Sequence, residues 1–392
     1  MFTYPNIIIN KNSKWRNGFG CQRGPFSLYR ALSIATNKMS EDHFPDLEDT
    51  EPVFNPKPNK NWEKITSFHP YGHSQVSSYS YVEPHDNKTN YLKLKSEDTL
   101  LSQDLENTKP RETIPIEPTI AVTKAKLNIP EIDNLITKGE LIPDGKILEE
   151  DGSINVIKCA IEPVWNLPKL AAKLNISEES LRKDLYTHTN GMYPEFIQRL
   201  DLPYFLPPIP GTTIYIIGNP ETLPDPNIKL TARVHDECNG SDVFGSDICT
   251  CRPYLMHGIE EAVRTAQGGG NGLIVYFRKE GRALGEVIKY LVYNKRKRLK
   301  EGDNSDKYFQ CTELVAGVED ARFQCLMPEP LIWLGVKKID KLVSMSNLKY
   351  DAIIEAGIEV GERITINEEL IPKDAHVEID AKIKSGYHNH NV

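Results

Sequence analysis

The chain has 392 residues, 39% of them hydrophobic and 26% charged, with a formal net charge of −8, a length that suits two or three domains with sizeable cores. An acidic surface of this kind does not draw nucleic acid or anionic membranes by long-range electrostatics. No run of about 18 apolar residues is present to span a bilayer, and MFTYPNIIINKNSKW lacks the charged start and long apolar stretch of a secretion signal. Seven cysteines, an odd number without a regular framework, suit reduced thiols in a cytoplasmic protein.

Residues 1–118 are rich in Pro, Ser, Asn and Tyr and show little hydrophobic period; FNPKPNKNW (54–62) and KSEDTLLSQDLENTKPRE (95–112) read as loop or linker. So long an irregular stretch is expected to wrap on or beside a larger body. FHPYGH and YVEPHD bring His69, His73 and His85 close in sequence, and loop histidines are the expected reading. Residues 119–200 read as mainly helical, with Ser177 an N-cap ahead of Glu178 and Glu179. Within them LPKLAAKLNISEESLRKDL (167–185) is spaced like a helix-turn-helix. Its second helix carries Glu178, Glu179 and Asp184, which face phosphate poorly; two packed helices are expected, and nucleic acid is not an expected partner.

From 201 to 370 the pattern changes. TTIYIIG (212–218) alternates as a strand, YLMHGIEEAVRTAQ (254–267) is a helix ended by Gly268, LIVYF (273–277) is a buried strand, and LGEVIKYLVYNKRKRLKE (284–301) is a second helix. GGGNG (268–272) follows a helix and precedes a strand, the reverse of a phosphate loop, and reads as a turn. NKRKRLK (294–300) reads as a solvated helix end, and Met327, Trp333 and Leu334 as core. Residues 371–392 form a C-terminal tail. The order of elements implies an α+β fold with sheets flanked by helices.

The most specific stretch is RVHDECNGSDVFGSDICTC (233–251), which holds three of the cysteines, Cys238, Cys249 and Cys251. Thiolates are strong ligands for zinc, and a structural site uses four. Three thiolates leave the fourth position to water, the arrangement of a catalytic zinc. His235 is the alternative fourth ligand, which would make the site structural. His235-Asp236-Glu237 also presents the H-x-E of zinc deaminases, but the later pair is C-x-C with no proline before it.

RVHDEC, the CTC ten residues on, YFRKEGRALG, and VEDARFQCLMPEPLIWLGVKKIDKLVSMSNLK in that order resemble GTP cyclohydrolase II over about residues 200–366. The resemblance implies one zinc per chain on Cys238, Cys249 and Cys251; the sequence neither calls for magnesium nor excludes it. It implies catalytic roles for Tyr293, Asp320 and Arg322, and places Arg233, Glu280, Arg282, Ser344 and Lys349 around a nucleotide, Ser344 and Lys349 at its phosphate. Glu280 suits the N–H groups of a base edge. A homodimer is implied as well.

The departures point further. Where the family reads RCDCG, this chain reads ICTCR, with Ile248 and Arg252 at the changed positions, and the family's Asn-Asn-Pro-Lys-Lys run is reduced to SMSNLKY. Fewer cations are left for a triphosphate. NGFGCQRGPFSLYRALSIAT (17–36), KCAIEPVWNLPKLA (158–171), THTNGMYPE (187–195) and FLPPIPG (205–211) resemble the cyclohydrolase-II-like proteins of fungal and bacterial uracil degradation. That branch implies hydrolytic opening of the uracil ring of uridine 5′-monophosphate by attack at C4, with Tyr293 and Asp320 as acid and base. The alternatives are release of formate and pyrophosphate from GTP, and a DNA-binding regulator with a silent cyclohydrolase domain.

Overall fold

The computed structural model describes residues 27–43, 46, 48, 120–299 and 303–388. His69, His73, His85 and most of the 1–118 region lie outside the described residues. Nine strands occur among them: β1 (Ile120–Leu127), β2 (Ile154–Ile161), β3 (Trp165–Asn166), β4 (Tyr204–Phe205), β5 (Thr212–Ile217), β6 (Leu230–Asp236), β7 (Asn271–Phe277), β8 (Lys338–Val343) and β9 (Glu359–Ile364). Seven form one mixed sheet in the order β1-β2-β5-β7-β6-β8-β9, while β3 and β4 pair separately. The first four strands of that order run antiparallel to one another; β7, β6, β8 and β9 are parallel. This is the expected α+β class, a sheet flanked by helices.

The strand pattern sets the layers. Leu230, Ala232 and Val234 of β6 face a core shared with Leu331, Ile339, Leu342 and Ile353. The opposite face of the sheet packs Ile154, Val156, Ile217 and Ile274 against Leu255, Ile259, Ala262 and Val263 of the helix Cys251–Gln267. The connection from β6 to β7 thus covers one face and the connection from β7 to β8 the other, and β6 lies between its two successors. The carboxyl ends of β6, β7 and β8 therefore open a crevice at a topological switch point, where open parallel sheets bind ligands.

Residues 119–200 are not mainly helical in their first half: β1 and β2 occupy 120–127 and 154–161 and extend the same sheet as the strands after 201. IAVTKAKL lies at the sheet's edge with Val122 exposed. Its second half is helical as expected. The helices Leu167–Lys173 and Glu178–His188 pack with Ser27–Ala35 in a separate core that includes Leu28, Leu32, Leu170, Leu181 and Leu185. Ser177 caps the second by accepting from the Ser180 N–H at 3.1 Å. Arg182, on the would-be reading face, is buried and donates to Glu178 and to the Leu202 carbonyl, so it is not presented to a nucleic acid.

Three further expectations are corrected. The basic run 294–300 is not simply a solvated helix end, since Lys295 pairs with Asp46 at 3.0 Å and the buried Arg296 with Asp303 at 2.9 Å. Met327 is core, but Trp333 is 43% exposed at the end of the helix Glu329–Trp333. Residues 371–388 do not form a detached tail, because the helix His376–Lys384 packs Ile379 against Tyr254, Val343 and Met345. No helix among the described residues is long and apolar enough to cross a membrane.

Candidate active site

Each parallel strand delivers polar residues as it ends. Arg233, His235 and Asp236 come from β6 and Cys238 follows it; Glu280 and Arg282 follow β7; Ser344 and Lys349 follow β8. With Cys249, Cys251, Tyr293 and Arg322 they line one cavity. Asp320 is not among the lining residues. It stands behind Arg322, accepting from Nε at 2.9 Å and also from Nη2.

The cysteine loop is fixed by one buried carboxylate that the sequence did not single out. Asp242 accepts from the Cys238 N–H at 2.9 Å, from the Tyr276 hydroxyl at 2.8 Å and from His235 Nε2 at 3.0 Å. The other ring nitrogen of His235, Nδ1, lies 3.2 Å from Arg233 Nη2. Both nitrogens are thereby engaged, and His235 does not join the thiols; burial, opposed by Asp242, lowers its pKa. The three cysteine sulfurs lie within 4.8 Å of one another, with Cys238 and Cys249 Sγ at 3.4 Å. Sulfurs around a tetrahedral zinc, each ~2.3 Å from it, stand about 3.8 Å apart, so these soft donors fit that ion. Hydrogen bonds from the Cys249 and Cys251 thiols, and then the Lys289 ammonium, hold the Cys238 thiol well below its ordinary pKa.

Lys289 is a second residue that sequence reasoning missed. Its Nζ lies 3.0 Å from Cys238 Sγ and 2.8 Å from Glu280 Oε1. Glu280 also accepts from the Asn239 N–H at 2.7 Å through Oε2 and from the Gly281 N–H at 2.9 Å through Oε1. Oε2 therefore braces the cysteine loop directly, and Oε1 does so through Lys289. The turn that carries it is strained: φ is +58° at Gly281, +60° at Arg282 and +61° at Ala283, a left-handed run that side chains other than glycine resist. Arg282 emerges from that turn across the Phe309 ring, 4.8 Å from its centroid.

Beyond the thiols lies a cluster around Asp236. Arg322 Nη1 and Lys349 Nζ both reach its Oδ2 at 2.7 Å, and Lys349 also donates to the Val234 carbonyl at 2.9 Å. Burial would raise the Asp236 pKa, but Lys349 and Arg322 outweigh it and hold the carboxyl well below the usual range. Burial pulls the Lys349 ammonium down to about 8 in spite of Asp236. Arg233 donates to the Val343 carbonyl at 2.8 Å and lies over the Tyr254 ring at 4.9 Å. Its stem passes Gly258, where an added Cβ would come within 2.9 Å of it. Tyr293 is buried, which pushes its phenol well above the ordinary pKa and keeps it protonated.

A cavity at the carboxyl ends of parallel strands, walled by thiols, carboxylates and cations, is the kind of pocket in which a hydrolase binds a charged substrate. Residues 212–365 match the family model described as GTP cyclohydrolase II, and residues 5–90 and 98–188 match the one described as GTP cyclohydrolase N terminal. The chain is 50% identical over 375 residues to URC1 of Lachancea kluyveri, covering 95% of this chain and 78% of that one. It is also 50% identical over 376 residues to uracil-regulated protein 1 of Schizosaccharomyces pombe, covering 95% and 79%. The GTP cyclohydrolase-2 of Buchnera aphidicola is 33% identical over 150 residues, 38% of this chain and 71% of that one. The chain belongs to the GTP cyclohydrolase II family.

Proposed function

We propose that the protein opens the uracil ring of uridine 5′-monophosphate by hydrolysis of the N3–C4 bond, as a step of pyrimidine degradation, with one zinc held by Cys238, Cys249 and Cys251. The observation that carries the choice of substrate is the pairing of the cavity's cations. Lys289 is matched by Glu280, Lys382 by Glu378, and Arg322 and Lys349 converge on Asp236. Arg322 is held by Asp320 as well and Arg282 meets Glu319, which leaves Arg233, donating to the Val343 carbonyl, as the one cavity cation among the described residues with no carboxylate partner, a supply suited to one phosphate group rather than three. Kinship over nearly the whole chain with a protein named for its regulation by uracil supports the same reading.

In this reading Lys349 and Arg322 turn part of their charge from Asp236 to the phosphate, with Ser344 beside them. Zinc, when bound, supplies Lewis acidity that polarises a carbonyl and acidifies a water. Tyr293, held protonated by burial, donates to the departing N3 as the bond opens. Asp320 orients Arg322 and does not reach the substrate. Its expected part in proton transfer passes to Glu237, which lines the cavity beside Cys238. Water adds across the bond, its oxygen to C4 and a proton to N3, and the product is a ribosyl-ureidoacrylate phosphate. The six cysteines among the described residues are unpaired, which suits a reducing cytoplasm, and the protein acts there as a homodimer, checked by light scattering. The deciding experiment incubates the zinc-loaded protein separately with uridine monophosphate and GTP. A product one water heavier than uridine monophosphate, with GTP intact, is expected; formate and pyrophosphate from GTP alone would replace this substrate by the other.

A further inference from the structure

Glu280, the carboxylate that the sequence offers for base recognition, has both oxygens committed to Asn239, Gly281 and Lys289. Another carboxylate lines the same cavity. Glu378 lies on the helix His376–Lys384, beyond the last residue matched to the family, and is 6% exposed. It pairs through Oε1 with Lys382, one turn on. Its Oε2 has no hydrogen-bond partner among the described residues. Both side chains share the cavity wall with Cys249, Cys251, Tyr293 and Tyr308, and the Glu378 charge is close enough to bear on Cys249 and Tyr293.

We infer that Glu378 and Lys382 read the hydrogen-bonding edge of the pyrimidine, an inference that rests on the uridine monophosphate reading above. A uracil edge presents an acceptor, a donor and an acceptor: O4, N3–H and O2. A buried carboxylate beside an ammonium complements two adjacent members of that set. Glu378 Oε2 accepts from N3–H and Lys382 Nζ donates to O2, which turns C4 toward the thiol cluster. The ring of Tyr308 gives the base a flat wall. Cytosine is refused at the same place, because its N3 is an acceptor and would set a lone pair against the carboxylate.

The pair is tested on the full-length, zinc-loaded protein in a Tyr293→Phe background, where turnover is slow, by calorimetric titration with uridine and cytidine monophosphates. The background should favour uridine monophosphate by at least about tenfold. Glu378→Gln should weaken it roughly 10- to 100-fold and remove the preference over cytidine monophosphate, because an amide can donate to cytosine N3. A folded Glu378→Gln protein with unchanged preference overturns the inference. If that variant melts below the titration temperature, Lys382→Gln decides: O2 is common to both bases, so both ligands should weaken together, and no loss on either overturns the assignment. Failure of the background protein to bind either monophosphate counts against the substrate reading itself. Uridine monophosphate binding that ignores Glu378→Gln counts against the base-reading pair alone.

Discussion

The two halves of the main sheet are built from similar apolar strands, yet the chemistry gathers on one of them. In the parallel half, β6, β7 and β8 end side by side and their following loops converge, so Cys238, Glu280 and Ser344 enter one cavity from three separate stretches of chain. In the antiparallel half, neighbouring strands end at opposite edges, so the loop after β2 leaves on the other side from those after β1 and β5. That half supplies area and rigidity. A side-chain contact carries it to the cysteine loop: Glu131, on the helix Pro130–Thr137 after β1, takes a two-pronged contact from Arg252 at 2.7 and 2.9 Å. Strand direction, more than composition, decides where catalytic residues can be collected.

The sharpest test of the division is at the thiols. Cys238→Ser should abolish metal retention and activity together, whereas Val122→Ala on the exposed face of β1 should leave both intact; metal content and turnover on the same preparations separate the two. Next in size is Tyr293→Phe. It removes the proposed proton donor without touching a metal ligand, and should lower the rate roughly 10²- to 10⁴-fold with zinc content unchanged. Near-normal turnover would take Tyr293 out of the chemistry.

The Asp236 cluster predicts a smaller and more selective effect. Lys349→Ala should weaken binding of uridine monophosphate about 10- to 100-fold, the value of a charge-assisted contact, and hardly change binding of uridine. The pH dependence follows from the same side chain. Its pKa falls from the ordinary 10.5 to about 8 in the folded protein, so between these values the unfolded chain holds the extra proton. The Lys349 contribution to stability therefore rises with pH across that window, as the cost of a buried charge is relieved. Affinity for the monophosphate should do the opposite and decline as pH passes about 8. Lys349→Met, a variant without the titrating group, should flatten both trends; KM and melting profiles between pH 7 and about 10 check the opposed signs.

What the sequence made legible follows the same division. The spacing of Cys238, Cys249 and Cys251 needs no tertiary information, and the strands at 212–217 and 271–277 and the helices around them stand out by period. β1 and β2 do not: IAVTKAKL exposes Val122 and alternates lysines on an edge, and INVIKCAI is a short apolar run that a helix could also use. Asp242 sits in NGSDVFG and reads as a loop carboxylate until the fold brings Tyr276 and His235 to it. Glu378 and Lys382, four apart in HVEIDAKIK, look like an ordinary solvated helix pair. They become site residues only because that helix closes over the cavity. Asp320 differs the other way: its place in EDAR suggests a reacting group, and the fold sets it against Arg322.

The smallest predicted effect tests this side-chain link between the halves. Besides Glu131, Arg252 donates to the Asp242 carbonyl, while its N–H meets Ser241 Oγ at 3.0 Å. It thus ties the antiparallel half to the loop between Cys238 and Cys249. The pair is partly exposed, with side chains 24% and 37% accessible, so screening limits its worth to about 0.5–1 kcal/mol. Glu131→Gln should cost that much stability and slow turnover only a few-fold, while Arg252→Ala should cost more because the Asp242 carbonyl also loses a donor. A double-mutant cycle measures the coupling. If Arg252→Ala lowers zinc affinity while Glu131→Gln does not, Arg252 acts within the cysteine loop alone and its contact with Glu131 does not serve the metal site. If both lower it in proportion, the antiparallel half helps to set the metal site.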